Sequence, residues 1–353
     1  KNIIYFNLMA AFKIFLYFFL IFIASFSTIG SEISTSTVRP DSHAPISLMC
    51  DHYHKKGEIM WSYRYMLMDM DGYQQNSSSA SYTRARTKPS GGTTAMNSVY
   101  MNVPIDMQMT MHMFGGMYAV NDDYTLMTMI NYHDNEMKIK KHSTGQTKTL
   151  SSKGWGDTRL NVMRRIYESS IVKLHATLGL SIPTGSISKE DTMINGSKGT
   201  LGYGMQLGTG TYDILPSFTY LHTRKDFSYG LQSGAEIRTG ENSKNYTVGD
   251  KYFTNIWLAK PISEIRSSFS LGLRGESLGK IDGKHKEIQS VMSFAQDAES
   301  TGYKRISYLL GMNHVFSNGT RLAIEYMRPL YNNVNQVQLD TEYSLVLGLQ
   351  HNF

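Results

Sequence analysis

Long apolar runs are missing from most of this 353-residue sequence, and their absence excludes a body built from transmembrane helices. After residue 30 no stretch approaches the roughly 18 apolar residues that a membrane-spanning helix needs, and the mean hydropathy is −0.31. The sequence also has only one cysteine, Cys50, which excludes an intrachain disulfide. The fold therefore needs a closed hydrogen-bond network for its stability.

Recognisable catalytic motifs are missing as well. The sequence contains no Gly-x-Ser-x-Gly, no His-Glu-x-x-His and no glycine-rich phosphate-binding loop. We therefore predict that the protein is not an enzyme and requires no cofactor. The net charge of +6 is spread along the chain without a basic block, which argues against a nucleic-acid partner.

The N-terminus is the one strongly apolar region. Lys13 precedes an apolar run over residues 14–26, and small or polar residues follow up to Gly30. This order is typical of a secretory signal peptide, and the run is short for a membrane anchor. We predict a signal peptide over residues 1–30 with cleavage near Gly30, then a periplasmic or lumenal segment over residues 31–56 and a β-barrel over residues 57–353.

What the sequence has in abundance is alternation. From Tyr343 to Phe353, apolar or aromatic residues occupy nearly every second position. Such a pattern is typical of a strand with one apolar face and one small or polar face. A final strand that ends on an aromatic residue resembles the closing strand of outer-membrane barrels, and the 23 tyrosines suit the aromatic girdles of such barrels.

Twelve segments show a strand pattern, and the connections between them alternate between short and long. Tight periplasmic turns and longer outer loops are typical of outer-membrane barrels. We therefore predict an all-β fold, a transmembrane antiparallel up-and-down β-barrel of about 12 strands in the bacterial outer membrane. The predicted strands are 57–71, 105–119, 124–138, 155–166, 171–183, 211–223, 226–239, 252–262, 265–276, 303–316, 319–330 and 341–353. The predicted long connections are 72–104, 139–154, 184–210, 240–251, 277–302 and 331–340.

Charged residues indicate which face of each strand points inward. A charged side chain at the bilayer midplane is costly, so the charged face must line the lumen. The methionine face of residues 105–119 is assigned to the lumen because Phe114 and Tyr118 occupy the other face. The predicted lumen-lining residues are Arg64, His133, Arg159, Arg165, His175, Glu236, Arg238, Arg266, Arg274 and Glu325.

Methionine is unusually frequent, with 22 residues, many of them between residues 49 and 137. On two predicted strands methionine recurs at every second position, and a segment rich in histidine precedes the first of them. Thioether sulfur is a soft ligand suited to Cu(I), but methionine is also a flexible filler of apolar space. Two interpretations stay open: a soft-metal site, or lumen packing and an apolar binding surface beside solvated histidines. The residues predicted for the metal site are Met49, Cys50, His52, His54, Met66, Met68, Met111, Met113, Met127 and Met129.

Two motifs resemble a known family. Gly154-Trp-Gly-Asp-Thr-Arg-Leu and Leu178-Gly-Leu-Ser-Ile-Pro-Thr-Gly are similar to the paired strand signature of the outer-membrane transporters of the meta-pathway of phenol degradation. These transporters are distant relatives of long-chain fatty-acid transporters. His43-Ala-Pro-Ile and Tyr63-Arg-Tyr-Met-Leu-Met-Asp-Met resemble a branch of the family rich in methionine and histidine, in which glycine is expected at the position of Cys50. The resemblance implies a barrel and transport, and it supplies no solute.

We therefore predict an outer-membrane channel or transporter for a small solute, with a link to copper handling as the finer hypothesis. Uptake of aromatic or other hydrophobic compounds is one alternative, and a non-conducting structural or adhesin barrel is another. The expected partners are outer-membrane lipid, the barrel-assembly machinery and a small-molecule or metal solute. Cu(I) is the only bound metal that the sequence suggests.

Overall fold

The computed structural model describes residues 39–88 and 99–353, and the signal peptide predicted for residues 1–30 lies outside these ranges. One short helix, α1 (Tyr82–Arg86), begins after Ser81, whose side chain caps it. No helix in the described ranges is long and apolar enough to cross a membrane. The strands are β1 (Ile59–Asn76), β2 (Ser78–Ser79), β3 (Asn102–Ala119), β4 (Tyr124–Lys141), β5 (Thr147–Trp155), β6 (Thr158–Glu168), β7 (Val172–Ile182), β8 (Glu190–Thr192), β9 (Lys198–Thr200), β10 (Asp213–Thr223), β11 (Ser228–Arg238), β12 (Tyr246–Thr247), β13 (Lys251–Ile262), β14 (Ser267–Leu278), β15 (Asp282–Gly283), β16 (Tyr303–Val315) and β17 (Arg321–Asn352).

The long strands form one antiparallel sheet that closes on itself. Neighbours are hydrogen-bonded in the order β1, β3, β4, β6, β7, β10, β11, β13, β14, β16 and β17, and β17 pairs with β1 to complete the barrel. The strand β5 pairs with the outer part of β4, above the part that pairs with β6. Closure leaves no unpaired edge in the membrane, where lipid offers no hydrogen bonds. The predicted transmembrane antiparallel barrel is confirmed.

The strand β17 contains two wall strands joined by a tight turn. Its residues 321–334 pair with β16, and its residues 334–352 pair with β1. Gln336, near the start of the second part, has a φ of +55°, and side chains meet across the hairpin in the pairs Arg321–Gln350 and Asn332–Asp340. The barrel wall of the described chain contains eleven paired elements. Because β17 supplies two strands, the wall has twelve strands, which is the number predicted.

Two of the predicted outer loops are wrong, because strands continue there. Residues 331–340 belong to β17, and most of residues 139–154 belong to the ends of β4 and β5, which pair with each other. In β17 these residues carry polar side chains on both faces, so they lack the alternation that marks a membrane strand. Pairing with neighbouring strands keeps them extended.

The outer surface of the barrel carries a band of exposed apolar side chains. Leu178 is 62% exposed and Leu271 is 57% exposed, although both are large and apolar. Outer-membrane barrels turn such a band toward lipid, where its exposure is favourable. Other members of the band are Leu126, Ile130, Leu160, Val162, Leu180, Ile256, Leu258, Leu310 and Ile324.

Residues 39–58 are called the plug below: residues 39–54 are buried or half-buried within the barrel, and residues 55–57 are exposed at its mouth. Where the plug leads into β1, the Gly57 N–H donates to the Ala119 carbonyl, and the Lys56 N–H donates to the Asp122 carboxylate. Both partners lie at the short turn between β3 and β4, and short turns mark the periplasmic side of outer-membrane barrels. The plug therefore fills the lumen from its periplasmic mouth.

Candidate functional site

Polar side chains that point inward from several strands hold the backbone of the plug. The Ser268 hydroxyl donates to the Pro40 carbonyl at 3.0 Å, and Gln232 Nε2 donates to the Met49 carbonyl at 2.7 Å. A buried backbone group without a partner would cost about 1–3 kcal/mol, so these contacts fit the plug to this lumen. Further contacts of the same kind are Ser228 with the Asp41 carbonyl, His175 with the Cys50 carbonyl and Thr125 with the His54 N–H.

Two apolar side chains of the plug pack against different parts of the barrel wall. Ile46 packs on Val346, and the lack of a Cβ at Gly348 makes room for it, since a Cβ there would collide with Ile46. Leu48 packs on Trp257 of β13. The plug is therefore fixed by side-chain packing as well as by hydrogen bonds.

The wall formed by β1, β3 and β4, called the sulfur wall, meets the plug in a cluster of sulfur-bearing side chains. Six members are buried and two are partly buried. The Cys50 Sγ and the Met127 Sδ are 3.2 Å apart. Within the ranges that the structure describes, this cluster contains no leucine, isoleucine, valine or phenylalanine. We call it the sulfur cluster, and its members are Met49, Cys50, Met60, Met113, Met117, Met127, Met129 and Met163.

Strand register explains how these methionines meet. Met60 lies opposite Met117, and Met117 lies opposite Met127, so three neighbouring strands place a thioether at one level of the wall. The methionine face of β3 therefore points inward. Met163 completes the cluster from β6, and sequence reasoning missed it because its own strand has no methionine repeat.

Cys50 has an unusual backbone conformation. Its φ is +53°, in the left-handed region that suits glycine and that costs other residues roughly 1–2 kcal/mol. Its carbonyl lies 2.8 Å from His175 Nε2, which helps to hold this conformation. Burial raises the pKa of the Cys50 thiol to about 12, so the thiol carries its proton at neutral pH.

Other predicted ligands lie farther out along the same wall. Met66 lies opposite Met111, and Met68 lies opposite Met109, so the methionines continue in paired rows above the sulfur cluster. At the outer end, Met107 is part of a mixed core with aromatic and aliphatic residues. The predicted set of methionines is therefore spread along the barrel and does not form one closed centre.

A second group of possible ligands lies in the plug and contains no sulfur. The Nδ1 atoms of His43 and His52 are 3.3 Å apart, and an Asp51 carboxylate oxygen is 3.0 Å from His52 Nδ1. His54 pairs instead with Glu58, at 3.3 Å from its Nδ1. Burial first, and the nearby His52 ring second, lower the pKa values of His43 and His54 to about 3, so both rings are neutral at neutral pH.

The structure therefore divides the metal set that the sequence predicts. Met49 and Cys50 join the sulfur cluster, whereas His52 joins His43 and Asp51. Sequence reasoning did not name Asp51 as a ligand, and it considered His43 only as one of several possible ligands before the first strand. Their contact with His52 depends on how residues 44–50 fold back, which no spacing motif indicates.

The opposite side of the lumen carries ion pairs in place of thioethers. We call it the ion-pair wall; it consists of β10, β11, β13 and β14 together with Arg159 of β6. Arg238 pairs with Asp213 at 2.6 Å, and Glu236 pairs with both Arg238 and Arg159 at 3.2 Å. On the neighbouring strands Glu276 pairs with Lys251 at 3.2 Å and with Arg274 at 3.0 Å.

A cavity of about 100 Å³ lies between the plug and the ion-pair wall. Arg159, Glu236 and Arg274 line it from the wall, and Met49 and Cys50 line it from the plug. The cavity therefore joins charged groups to the sulfur cluster at one position in the lumen.

Most predicted lumen-lining residues lie on the inner face. Arg64 donates to the Leu48 carbonyl and to the Met49 sulfur of the plug. Glu325 is buried beside the Ser47 N–H. The others on this face are His133, Arg159, His175, Glu236, Arg238 and Arg274.

Two predicted lumen-lining residues lie elsewhere. The prediction that Arg266 lines the lumen is wrong. Arg266 ends the short turn between β13 and β14, where it is exposed and has a φ of +48°. Arg165 lies at the periplasmic rim, where it pairs with Asp123 and Glu168. Both residues lie at strand ends, where alternation no longer decides which way a side chain points.

Comparisons with known proteins agree with this architecture. The family model described as "Putative MetA-pathway of phenol degradation" matches residues 84–298. The COG4313 outer membrane channel from Pseudomonas putida F1 has a similar structure, with a TM-score of 0.57 and 14% identity over 85% of this chain and 97% of that chain. The toluene transporter TbuX from Ralstonia pickettii aligns with a TM-score of 0.41 and 8% identity over 85% of this chain and 90% of that chain. No curated protein matches the sequence significantly.

The likeness to the Pseudomonas channel shows a shared barrel fold. The family model confirms the predicted family resemblance, and the chain has the fold of an outer-membrane channel barrel. Because that model covers more than half of the sequence, the chain belongs to the family described as the MetA-pathway of phenol degradation.

Proposed function

We propose that this channel handles a soft metal ion, Cu(I), and that the sulfur cluster is where the ion binds. The composition of the cluster carries the proposal, because every member that the structure describes bears sulfur. A core that needs only apolar volume is best filled by leucine, isoleucine, valine and phenylalanine, which have better-defined rotamers. Thioethers and thiolates are ligands that Cu(I) prefers.

The conformation of Cys50 supports the proposal. A non-glycine residue with a φ of +53° is unfavourable, and such cost is typical of functional positions. A cation at the cluster would favour loss of the thiol proton, although burial alone raises the pKa of this thiol to about 12. Cys50 would then supply the one anionic ligand among neutral thioethers.

The location of the cluster suits a route through the lumen. Met49 and Cys50 line the cavity beside the ion-pair wall, so a solute in this cavity would contact the cluster. The cavity is small, about 100 Å³, and the plug forms one of its sides. We therefore expect a larger solute to pass only if the plug shifts.

Family membership favours a second candidate, an aromatic solute. The family description concerns phenol degradation. Methionine side chains adapt their shape, and each contact between sulfur and an aromatic ring contributes about 0.3–1.5 kcal/mol. The same cluster would then bind an aromatic ring and no metal ion.

Titration of the full-length barrel with Cu(I) against a competing chelator tests the first candidate. The variant Met127→Leu/Met129→Leu keeps side-chain volume but removes two thioethers from the cluster. Met107→Leu/Met137→Leu is the matched control, because it makes the same change in the outer mixed core. We expect Cu(I) affinity to fall at least about tenfold, or about 1.4 kcal/mol, in the first variant and to stay nearly unchanged in the control.

Equal Cu(I) affinity in the wild type and both variants would overturn the metal proposal. Calorimetric titration of the same proteins with phenol tests the second candidate. Phenol binding that weakens in Met127→Leu/Met129→Leu, without measurable Cu(I) binding in the wild type, would assign the cluster to an aromatic solute.

A further inference from the structure

We propose a second, separate metal site in the plug, at which His43, Asp51 and His52 bind a divalent ion of the Zn²⁺ class. One ligand atom from each of these residues lies within 4.8 Å of the other two. Two imidazoles and a carboxylate form a donor set that suits Zn²⁺ or Cu²⁺, whereas Cu(I) prefers sulfur. This inference does not depend on which solute the channel carries.

The distances within the group match those of ligands around one ion. Two ligand atoms at 2.0–2.1 Å from a tetrahedral ion are about 3.3–3.4 Å apart. The Nδ1 atoms of His43 and His52 are 3.3 Å apart. Oxygen atoms of Asp51 lie 3.0 Å from the His52 Nδ1 and 3.8 Å from the His43 Nδ1. Small rotations of these side chains would therefore bring all three ligands onto one ion.

Hydrogen bonds alone satisfy this group poorly. A neutral imidazole carries one hydrogen, and the carboxylate carries none. The His52 Nδ1 faces both the His43 Nδ1 and the Asp51 carboxylate. If the His52 Nδ1 carries a hydrogen and donates it to Asp51, it has neither a second hydrogen nor a lone pair for the His43 Nδ1. If the His52 Nδ1 instead accepts from His43, its contact with Asp51 lacks a hydrogen. A bound cation would accept lone pairs from all three residues at once.

The surroundings already hold the three ligands in place. The side chains of His43, Asp51 and His52 are only 13%, 3% and 10% exposed. The Ala44 N–H donates to an Asp51 oxygen at 3.2 Å, which orients the carboxylate. Hydrogen bonds of this kind to metal ligands raise metal affinity, because they reduce the cost of ordering the site.

An ion at this site would close a loop within the plug. It would join residue 43 to residues 51–52, so that residues 44–50 lie between its ligands. This loop carries Ile46 against Val346, Leu48 against Trp257 and Cys50 in the sulfur cluster. The ion would thus hold the part of the plug that fills the lumen in one conformation.

The test is titration of the folded, full-length barrel with ZnCl₂ in competition with a chelating dye. We compare the wild type with His43→Gln and His52→Gln. Loss of a residue that only supports a metal ligand costs 10–100-fold in affinity, so loss of a direct ligand should cost at least about 100-fold. His112→Gln is the matched control because His112 lies on β3 and its Nδ1 contacts the Tyr63 hydroxyl. We expect its Zn²⁺ affinity to stay within about twofold of the wild type.

Heat-modifiable migration on unboiled gels identifies the variants that fold. Asp51→Asn provides a third variant for the same measurement if a histidine variant fails to fold. Equal Zn²⁺ affinity in the wild type and the ligand variants overturns the proposal, and so does an equal loss in His112→Gln. Absence of Zn²⁺ binding by the wild type also overturns it. Met127→Leu/Met129→Leu should bind Zn²⁺ normally, which separates this site from the sulfur cluster.

Discussion

The sulfur wall and the ion-pair wall face each other across one lumen, and they contact the plug in different ways. Thioethers of the sulfur wall pack through dispersion, which has no strong directional preference and allows methionine to adapt. The ion-pair wall contains charges that pair at 2.6–3.2 Å, and removing one partner of such a pair is costly. The side chains of the sulfur wall can therefore adjust to small movements, whereas those of the ion-pair wall hold one another in a fixed geometry.

Both walls hold the plug backbone, but they differ in what meets its side chains. Gln232 of the ion-pair wall donates to the Met49 carbonyl, and Arg64 of the sulfur wall donates to the Leu48 carbonyl. The side chains of Met49 and Cys50 pack among thioethers of the sulfur wall. We therefore expect a small shift of the plug to change these sulfur contacts before the backbone contacts break.

Thiol labelling at Cys50 has the largest expected effect and tests how firmly the plug meets the sulfur wall. Burial raises the pKa of this thiol from 9.0 to about 12, so its thiolate fraction at pH 8 falls about 1000-fold. The folded barrel should therefore react with a maleimide at least about 1000-fold more slowly than the urea-unfolded chain. Mass spectrometry of quenched samples gives both rates.

Gly348→Ala is the companion variant for this measurement, because its methyl group would collide with Ile46. We expect it to speed labelling of Cys50 in the folded barrel by about tenfold, which corresponds to about 1.4 kcal/mol against the docked plug. Similar rates for the folded and unfolded wild type would show that the plug leaves the lumen freely, and the contrast between the walls would then fail.

Glu236→Gln tests how much the ion pairs of the ion-pair wall contribute to stability. It removes the shared partner of Arg159 and Arg238, and loss of one partner of a buried pair costs about 3–5 kcal/mol. The Arg159 and Glu236 side chains are 32% and 13% exposed, which reduces this cost, so we expect a loss of about 2–4 kcal/mol in the free energy of unfolding, measured by urea denaturation in detergent micelles. Met163→Leu, the matched change in the sulfur cluster, should cost less than about 1.5 kcal/mol. Equal losses would remove the proposed difference between the walls.

Deletion of residues 39–56 tests both walls together and distinguishes a channel from a structural barrel. The plug fills the periplasmic mouth, so its removal should raise single-channel conductance in planar bilayers by about tenfold. Met163→Leu, which leaves the plug in place, should conduct like the wild type. If neither the wild type nor the deletion variant conducts ions, a non-conducting structural barrel is favoured.

Strand positions were largely predictable, because lipid on one side and a polar lumen on the other impose a period of two on the sequence. The prediction fails where that constraint ends. Residues 331–340 are rich in asparagine and glutamine, which suggests a loop, but they pair in β17 beyond the apolar band. The prediction for Arg266 fails for a related reason, since Arg266 lies in a turn and not in a strand.

The candidate site was predictable only in part. Alternation placed the methionines of β1, β3 and β4 on one face, and the structure brings several of them together. Met163, His43 and Asp51 join their partners through contacts between distant parts of the chain or through folding of the plug. No local period records such contacts, so the sequence alone could not separate the sulfur ligands from the imidazole ligands.

The left-handed backbone at Cys50 has a consequence for inheritance. Cysteine and glycine codons can differ by a single base, and glycine accepts this φ without strain. A point mutation can thus replace the whole thiol-bearing side chain by hydrogen while the plug keeps its path through the lumen. Descendants of one gene could gain or lose the anionic soft ligand in one step, so this codon should vary with exposure of the bacterium to copper, if copper is the solute.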